Sequence, residues 1–281
     1  PYMPGDGFTK VKGTNLANGL TIQDSDGNQY VWVEVPMTEN VYPTAKLEIT
    51  EFNDEAYTKI ENDLQTYTMT YRNETSYKDE YYEDKDYTTD WYSSNQYIGQ
   101  KQKMLKSVYQ NGGFWVAKYE AGLTEENNRT SHTTPTIVPQ SKENLVPYTW
   151  VTRTEAKKLA EMVTYTKGEK TYKGSLMFGV QWDLVLKFIE TKKISTDPEI
   201  ISKLNSDSLT IGNYRNSIFT INRGKYMVCS SLSNEWNEYN TPTSNYVDEN
   251  ANKLAQKNNG DGILLTTGAV DKNGLMNIYD I

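Results

Sequence analysis

The chain has 281 residues, with 29 Lys and Arg against 37 Asp and Glu and a net charge of -8. That balance repels phosphate backbones and anionic lipid, which excludes nucleic acid as a partner class, and the densest basic group, Lys101, Lys103 and Lys106, forms no stripe. A single cysteine, Cys229, excludes an internal disulfide framework and a multi-cysteine zinc site, and no run approaches the about eighteen apolar residues of a membrane span, so this segment does not insert into a membrane.

Leu20 to Gln23 and Tyr30 to Val35 alternate apolar and polar residues around Asp24-Ser25-Asp26-Gly27-Asn28, which predicts strand, turn, strand. Asp24, Asp26 and Asn28 also have the opening spacing of a calcium loop. Its closing acidic residue is out of step, because Glu34 falls one residue early, so the hairpin turn is the reading. Tyr57, Ile60 and Leu64 recur at helical spacing and predict an amphipathic helix over 54–66.

From about 68 to 100 the chain is dominated by Tyr, Asp, Glu and Thr, with Trp91 among them. So many aromatics in a polar run read as an exposed insertion that packs on the domain, with an aromatic ligand platform as the alternative. Adjacent carboxylates here, Asp79 with Glu80 and Glu83 with Asp84, point apart and make a poor acid/base pair.

A helix over 101–110 is predicted to stop at Asn111-Gly112-Gly113, where glycine accepts a left-handed cap. Phe114 to Glu120 is the strongest strand signal in the middle of the chain. The polar, proline-punctuated stretch 124–143 reads as loop, and it carries the only histidine, His132, without the second histidine or orienting carboxylate that nucleophilic catalysis needs.

Thr152 and Glu155 have capping-box spacing and open a helix over 154–163. The next helix, 181–191, is expected to put Trp182, Val185, Leu186 and Ile189 in the core, and Asp197-Pro198 starts a short one to about Leu204. Residues 205–260 read as variable loops around short strands. Their Asn, Tyr and Ser content suits adaptable contact surfaces as well as it suits ordinary surface loop. Asn213, Tyr214, Arg215, Trp236, Tyr239 and Tyr246 are the candidate ligand-binding residues, and Cys229, following Met227 and Val228, reads as a small buried apolar residue.

Five stretches in order resemble the formylglycine-generating-enzyme-like family, in particular its secreted bacterial and phage-associated branch. They are Gly27 to Pro36, Gly112 to Gly122 with its Tyr119-Glu120, Thr149 to Ala156, Ser175 to Asp183 with its Trp182, and Thr266 to Ala269 with Asn273 to Ile281. The fourth lacks the Pro-Thr-Glu portion that the enzymes carry there.

The resemblance implies an α+β, irregular C-type-lectin-like fold with short strands, two main helices and long loops. It implies one domain over 1–281, incomplete at its C-terminus, since the chain stops where the family's Gly-Asn-Val-Trp-Glu-Trp motif would begin. The family's enzymes oxidise a substrate cysteine with a cysteine pair in that C-terminal region, and Cys229 matches neither member.

The expected function is therefore a non-catalytic binding or adhesion module, extracellular or at the cell surface, that recognises a cell-surface protein or glycan. The alternatives are a structural subunit of a pilus, fibre or phage tail, through self-assembly or a complementing C-terminal chain, and an oxidase whose cysteines lie outside the chain. Because related domains bind calcium, the resemblance also implies Asn277 and Asp280 as candidate calcium ligands.

Overall fold

The computed structural model describes residues 1–72, 79–83, 90–205, 219–221, 223–229, 235–240, 253–254, 262–270 and 274–280, with backbone alone for 219–220, 228–229, 253–254 and 262–263. The fold is mixed α+β, and the described strands form several small antiparallel sheets, none of them closed into a barrel. In chain order the elements are β1 (Thr9–Lys10), β2 (Thr21–Gln23), β3 (Gln29–Glu34), α1 (Asp54–Tyr67), α2 (Ser94–Asn111), β4 (Gly113–Ala117), β5 (Gly122–Leu123) and β6 (Val146–Pro147). They continue with α3 (Arg153–Met162), β7 (Thr164–Lys167), β8 (Lys170–Lys173), α4 (Gly179–Lys193), α5 (Ile200–Leu204), β9 (Phe219–Thr220), β10 (Lys225–Cys229), β11 (Trp236–Glu238), β12 (Lys253–Leu254) and β13 (Gly262–Leu265). The five helices match the residue pattern and exceed the two main helices that the family resemblance implies.

The chain divides into two compact units, which interleave along the sequence: Pro1–Asp6, Trp32–Val116 and Arg153–Pro198 form one, and Gly7–Val31, Ala117–Thr152 and Glu199–Ile281 the other. The chain passes between units within β3 and at the end of β4.

The helical unit is organised on α1, α2 and α4. Asn53 caps α1 by accepting the Ala56 N–H at 2.9 Å, and Ala56, Ile60 and Leu64 then recur every four residues on its buried face. Among them Asp63 is 3% exposed, and its carboxylate accepts the N–H groups of Thr44 at 3.0 Å and Ala45 at 2.7 Å, which seats the loop carrying buried Val41 and Tyr42.

Helix α2 begins at Ser94, seven residues before the predicted start at 101. Ser93 and Gln96 form a reciprocal capping box there, and the polar, tyrosine-rich composition hides the helical period. Its end is as predicted: Gly112 sits at φ 70° and its N–H bonds the Val108 carbonyl. In the next residue, Gly113, a Cβ would lie 2.3 Å from the Val33 carbonyl oxygen, so the close β3–β4 approach requires glycine.

Helix α4 is buried around most of its circumference, by Val180, Leu184, Val185, Leu186, Phe188 and Ile189. Trp182, expected in the core, is instead 41% exposed; Asp183 turns inward because it pairs with Arg72. The first turn of α4 is capped from far away. Asp79, 2% exposed, accepts the N–H of Gly179 at 2.8 Å and of Val180 at 2.9 Å. A carboxylate at a helix N-terminus satisfies orphan donors and complements the helix dipole. The acidic run therefore holds a buried structural carboxylate at Asp79, not only solvated charge.

In the second unit the predicted hairpin is present: β2 and β3 pair antiparallel with Thr21 opposite Val31 and Gln23 opposite Gln29. Asp24 spends its carboxylate on the turn itself, accepting the N–H groups of Asp26 and Asn28 and the Asn28 amide. Strands β11, β10 and β13 form a three-stranded sheet in that order, and β9 pairs with β12. Just after β13, Thr267 stitches the loop 142–145, its hydroxyl donating to Lys142 O at 2.6 Å and accepting from Leu145 N at 3.0 Å. Among the described residues no helix is long and apolar enough to cross a membrane.

Asp79→Ala is expected to lower unfolding stability by about 2–4 kcal/mol, because it leaves two buried N–H groups without their acceptor and removes one of the two carboxylates beside Arg72. Urea denaturation of the variant against wild type measures it, and a loss below about 0.5 kcal/mol, the range of an ordinary surface substitution, contradicts it.

Candidate functional site

Four of the six predicted ligand contacts, Asn213, Tyr214, Arg215 and Tyr246, lie outside the described residues, as does the side chain of Cys229. The other two bracket β11. Trp236 opens the strand half-buried, and its indole nitrogen is enclosed with no hydrogen-bond partner among the described residues. Tyr239 follows the strand, 36% exposed, anchored by its own N–H to Gly224 O at 3.0 Å.

The predicted calcium ligands have structural work. Asn277 donates its amide to Asn18 O at 2.9 Å and Gly19 O at 2.8 Å, against a glycine whose added Cβ would lie 2.0 Å from Met276 O. Both Asn277, at φ 65°, and Asp280, at φ 59°, hold the left-handed conformation. Asp280 accepts the Gly268 N–H at 3.1 Å on each oxygen and the Glu120 N–H at 3.4 Å. Calcium takes about six to eight oxygens. The described residues bring it two carboxyl groups here, Asp280 and Glu120, and hold no group of three acidic, histidine or cysteine side chains arranged for a metal.

Around Asp280 the unit gathers Lys118, Tyr119, Glu120, Glu143, Arg223 and Tyr279. The chain leaves β4 through Lys118, Tyr119 and Glu120. Lys118 bonds the Gln29 side chain at 2.9 Å, its carbonyl accepts from Tyr279 N at 2.8 Å, and Ser141 Oγ accepts from Tyr119 N at 3.3 Å. The rings of Tyr119 and Tyr279 lie 5.3 Å apart. Arg223 pairs with Glu143, donates to Gly268 O at 2.8 Å and lies 5.7 Å from the Tyr279 ring centre. Gly268 is required there, because its φ is 67° and an added Cβ would lie 2.6 Å from the Tyr119 ring.

Burial governs the protonation of this cluster. It lowers the Lys118 ammonium, an effect that Glu143 opposes and Arg223 reinforces. It also raises the Tyr119 phenol, helped by Glu143. Glu120 is pushed up to about 8 by burial first and by the charge of Asp280 second. Asp280 is pushed up to about 6 by burial, with the N–H groups of Gly268 and Glu120 and the Arg223 charge pulling the other way.

Comparison with protein-family models, curated proteins and solved structures returns no match to this chain. The chemistry of the cluster therefore rests on its own geometry. A carboxyl that keeps its proton near neutral pH acts as a hydrogen-bond donor in a dry setting, and the neighbouring carboxylate, tied to two backbone N–H groups, works as a staple. The sequence marked Asp280 and the strand leading to Glu120, but nothing local couples Glu143 to Arg223, which are 80 positions apart.

A raised carboxyl stabilises the fold fully below its unfolded value of about 4.5, and that contribution is lost as pH rises to about 8. Glu120→Gln, which cannot ionise, is expected to match wild type near pH 4.5 and to be more stable by roughly 2 kcal/mol at pH 9, allowing for partial solvent access. Denaturation midpoints of both proteins across that range decide it, and parallel pH profiles contradict it.

Proposed function

We propose that the chain is a non-catalytic, extracellular or surface-exposed binding module with the C-type-lectin-like architecture of the formylglycine-generating-enzyme-like group, recognising a cell-surface protein or glycan. The observation that carries this reading is the aromatic pair at β11. The half-buried Trp236 opens the strand and the exposed Tyr239 follows it, and in sequence they are flanked by the Asn-, Ser- and Tyr-rich stretches 230–234 and 241–250. Tryptophan and tyrosine are also the side chains that dominate binding energy.

The scaffold suits this role. Its strands run two to six residues, and its loops are fixed by the side chains of Thr267, Asn277 and Asp280, so contact residues can vary without disturbing the core. One histidine and one cysteine in 281 residues support the non-catalytic reading.

An array of glycans and purified surface proteins probed with the whole chain is expected to yield a ligand. Tyr239→Ala and Arg215→Ala are expected to weaken its binding about tenfold or more, with thermal midpoints within about 2 °C of wild type. A silent array together with ordered self-assembly under the electron microscope favours a fibre subunit instead.

A further inference from the structure

Trp150 has two properties that packing does not explain. Its backbone lies at φ 58°, a left-handed conformation that bulky residues rarely adopt, and 54% of its surface is open to solvent. A strained residue persists only where its surroundings hold it, and here the holding groups are visible. Arg129 donates to Thr149 O at 2.9 Å, to Trp150 O at 2.8 Å and to Thr133 O at 2.6 Å, and its guanidinium lies 5.6 Å from the Tyr148 ring centre. Thr149 answers by donating its hydroxyl to Arg129 O. One arginine thus clamps the loop 129–133 to the turn 148–150, and the clamp presents the indole outward.

Further exposed side chains lie on the loop that Arg129 and Tyr148 tie to this turn. Ile137 is 38% exposed and Val138 44%, and the Tyr148 hydroxyl holds Ile137 O at 3.0 Å. Thr130, Ser131, His132, Thr133, Thr134 and Thr136 are exposed on the same loop. Between Asn127 and Ser141, and again from Asn144 to Thr152, Arg129 is the only Asp, Glu, Lys or Arg, and it is committed to backbone carbonyls. Arg129 and Tyr148 thus tie the turn that carries the exposed Trp150 to a loop whose exposed side chains are hydroxyls and the aliphatic Ile137 and Val138.

We infer that this Trp150 surface binds a neutral oligosaccharide, with the indole stacked on the apolar C–H face of a sugar ring and the threonine and serine hydroxyls bonding its hydroxyl groups. The chemistry matches at each point. A flat aromatic ring with two rotatable bonds offers area at low entropic cost, and its backbone is held by Arg129 before any ligand arrives. Three exposed apolar side chains are far short of the roughly 800 Å² per partner that a stable protein interface buries, whereas they suit one or two sugar rings. The loop 130–138 and the turn 148–150 contribute no Asp, Glu, Lys or Arg, so these two segments favour a neutral ligand over an acidic polymer. The inference rests on the reading of the chain as a binding module, but its residues are separate from Trp236, Tyr239 and the stretch 205–260.

The test is isothermal titration of the whole chain with cello-, xylo-, manno-, malto- and chito-hexaose, with polygalacturonate as the acidic control. At least one neutral hexasaccharide is expected to bind measurably at millimolar concentration or below. Trp150→Ala should weaken it at least tenfold, Trp150→Phe should weaken it less, and Tyr239→Ala should leave it unchanged.

Trp150→Gly is the folding control. Glycine adopts φ 58° freely, so this variant should keep or raise the thermal midpoint while losing the sugar. A fall in midpoint with Trp150→Gly would show that the ring serves packing and would overturn the inference. So would silence across all five neutral sugars, or binding of polygalacturonate alone. If the sugars stay silent while an array ligand is lost with Tyr239→Ala, this inference fails and the binding-module reading stands.

Discussion

Short strands leave many backbone N–H groups without a ladder partner, and buried donors without partners are among the costliest defects a fold can carry. Here a small set of buried or half-buried side chains takes over that task. Asp63 serves Thr44 and Ala45, Asp79 serves Gly179 and Val180, and Asp280 serves Gly268 and Glu120. Thr267 and Asn277 do the same with hydroxyl and amide. Each joins segments far apart in sequence, so the loops are held by polar staples where a longer-stranded protein would use sheet. The staples hold loops over the apolar cores on α1, α4 and β10, so staple and core stabilise each other.

That dependence explains why carboxylates sit where burial penalises them. Asp79 and Asp63 recover the cost through two N–H donors each, and Asp79 gains further from a helix N-terminus and Arg72. Glu120 has no such compensation and responds by keeping its proton. The contrast is one of neighbours, because all three are withdrawn from bulk water and, among the described residues, no donor is aimed at the Glu120 carboxyl group.

Features carried by local pattern were legible before the structure. The 3.6-residue spacing of Ile60 and Leu64, the Asp-Gly turn after Gln23 and the glycine pair after Asn111 each act within a few residues, and each appears where the pattern puts it. What escaped depends on distant partners. Nothing near Asp79 signals that it will cap a helix 100 positions later, and that same partnership with Arg72 turns Asp183 inward while Trp182 stays in solvent. The start of α2 was hidden because tyrosine and glutamine occupy positions where the helical period would otherwise show apolar residues. Of the candidate contacts, Tyr239 was legible as an exposed aromatic in a polar stretch. The left-handed backbone of Trp150 was not, since it is imposed by Arg129 twenty-one residues earlier.

The bonds from Asn277 to Asn18 and Gly19 span about 258 positions, and the carbonyl of Lys118 waits for the N–H of Tyr279. A ribosome that has made the β1–β3 hairpins has therefore made a piece whose closing strap does not yet exist. Until synthesis passes residue 280, those strands have incomplete polar satisfaction, and the nascent chain must avoid premature pairing of their edges. Unit two therefore closes late in its own synthesis, in a topology whose contacts join segments about 258 positions apart.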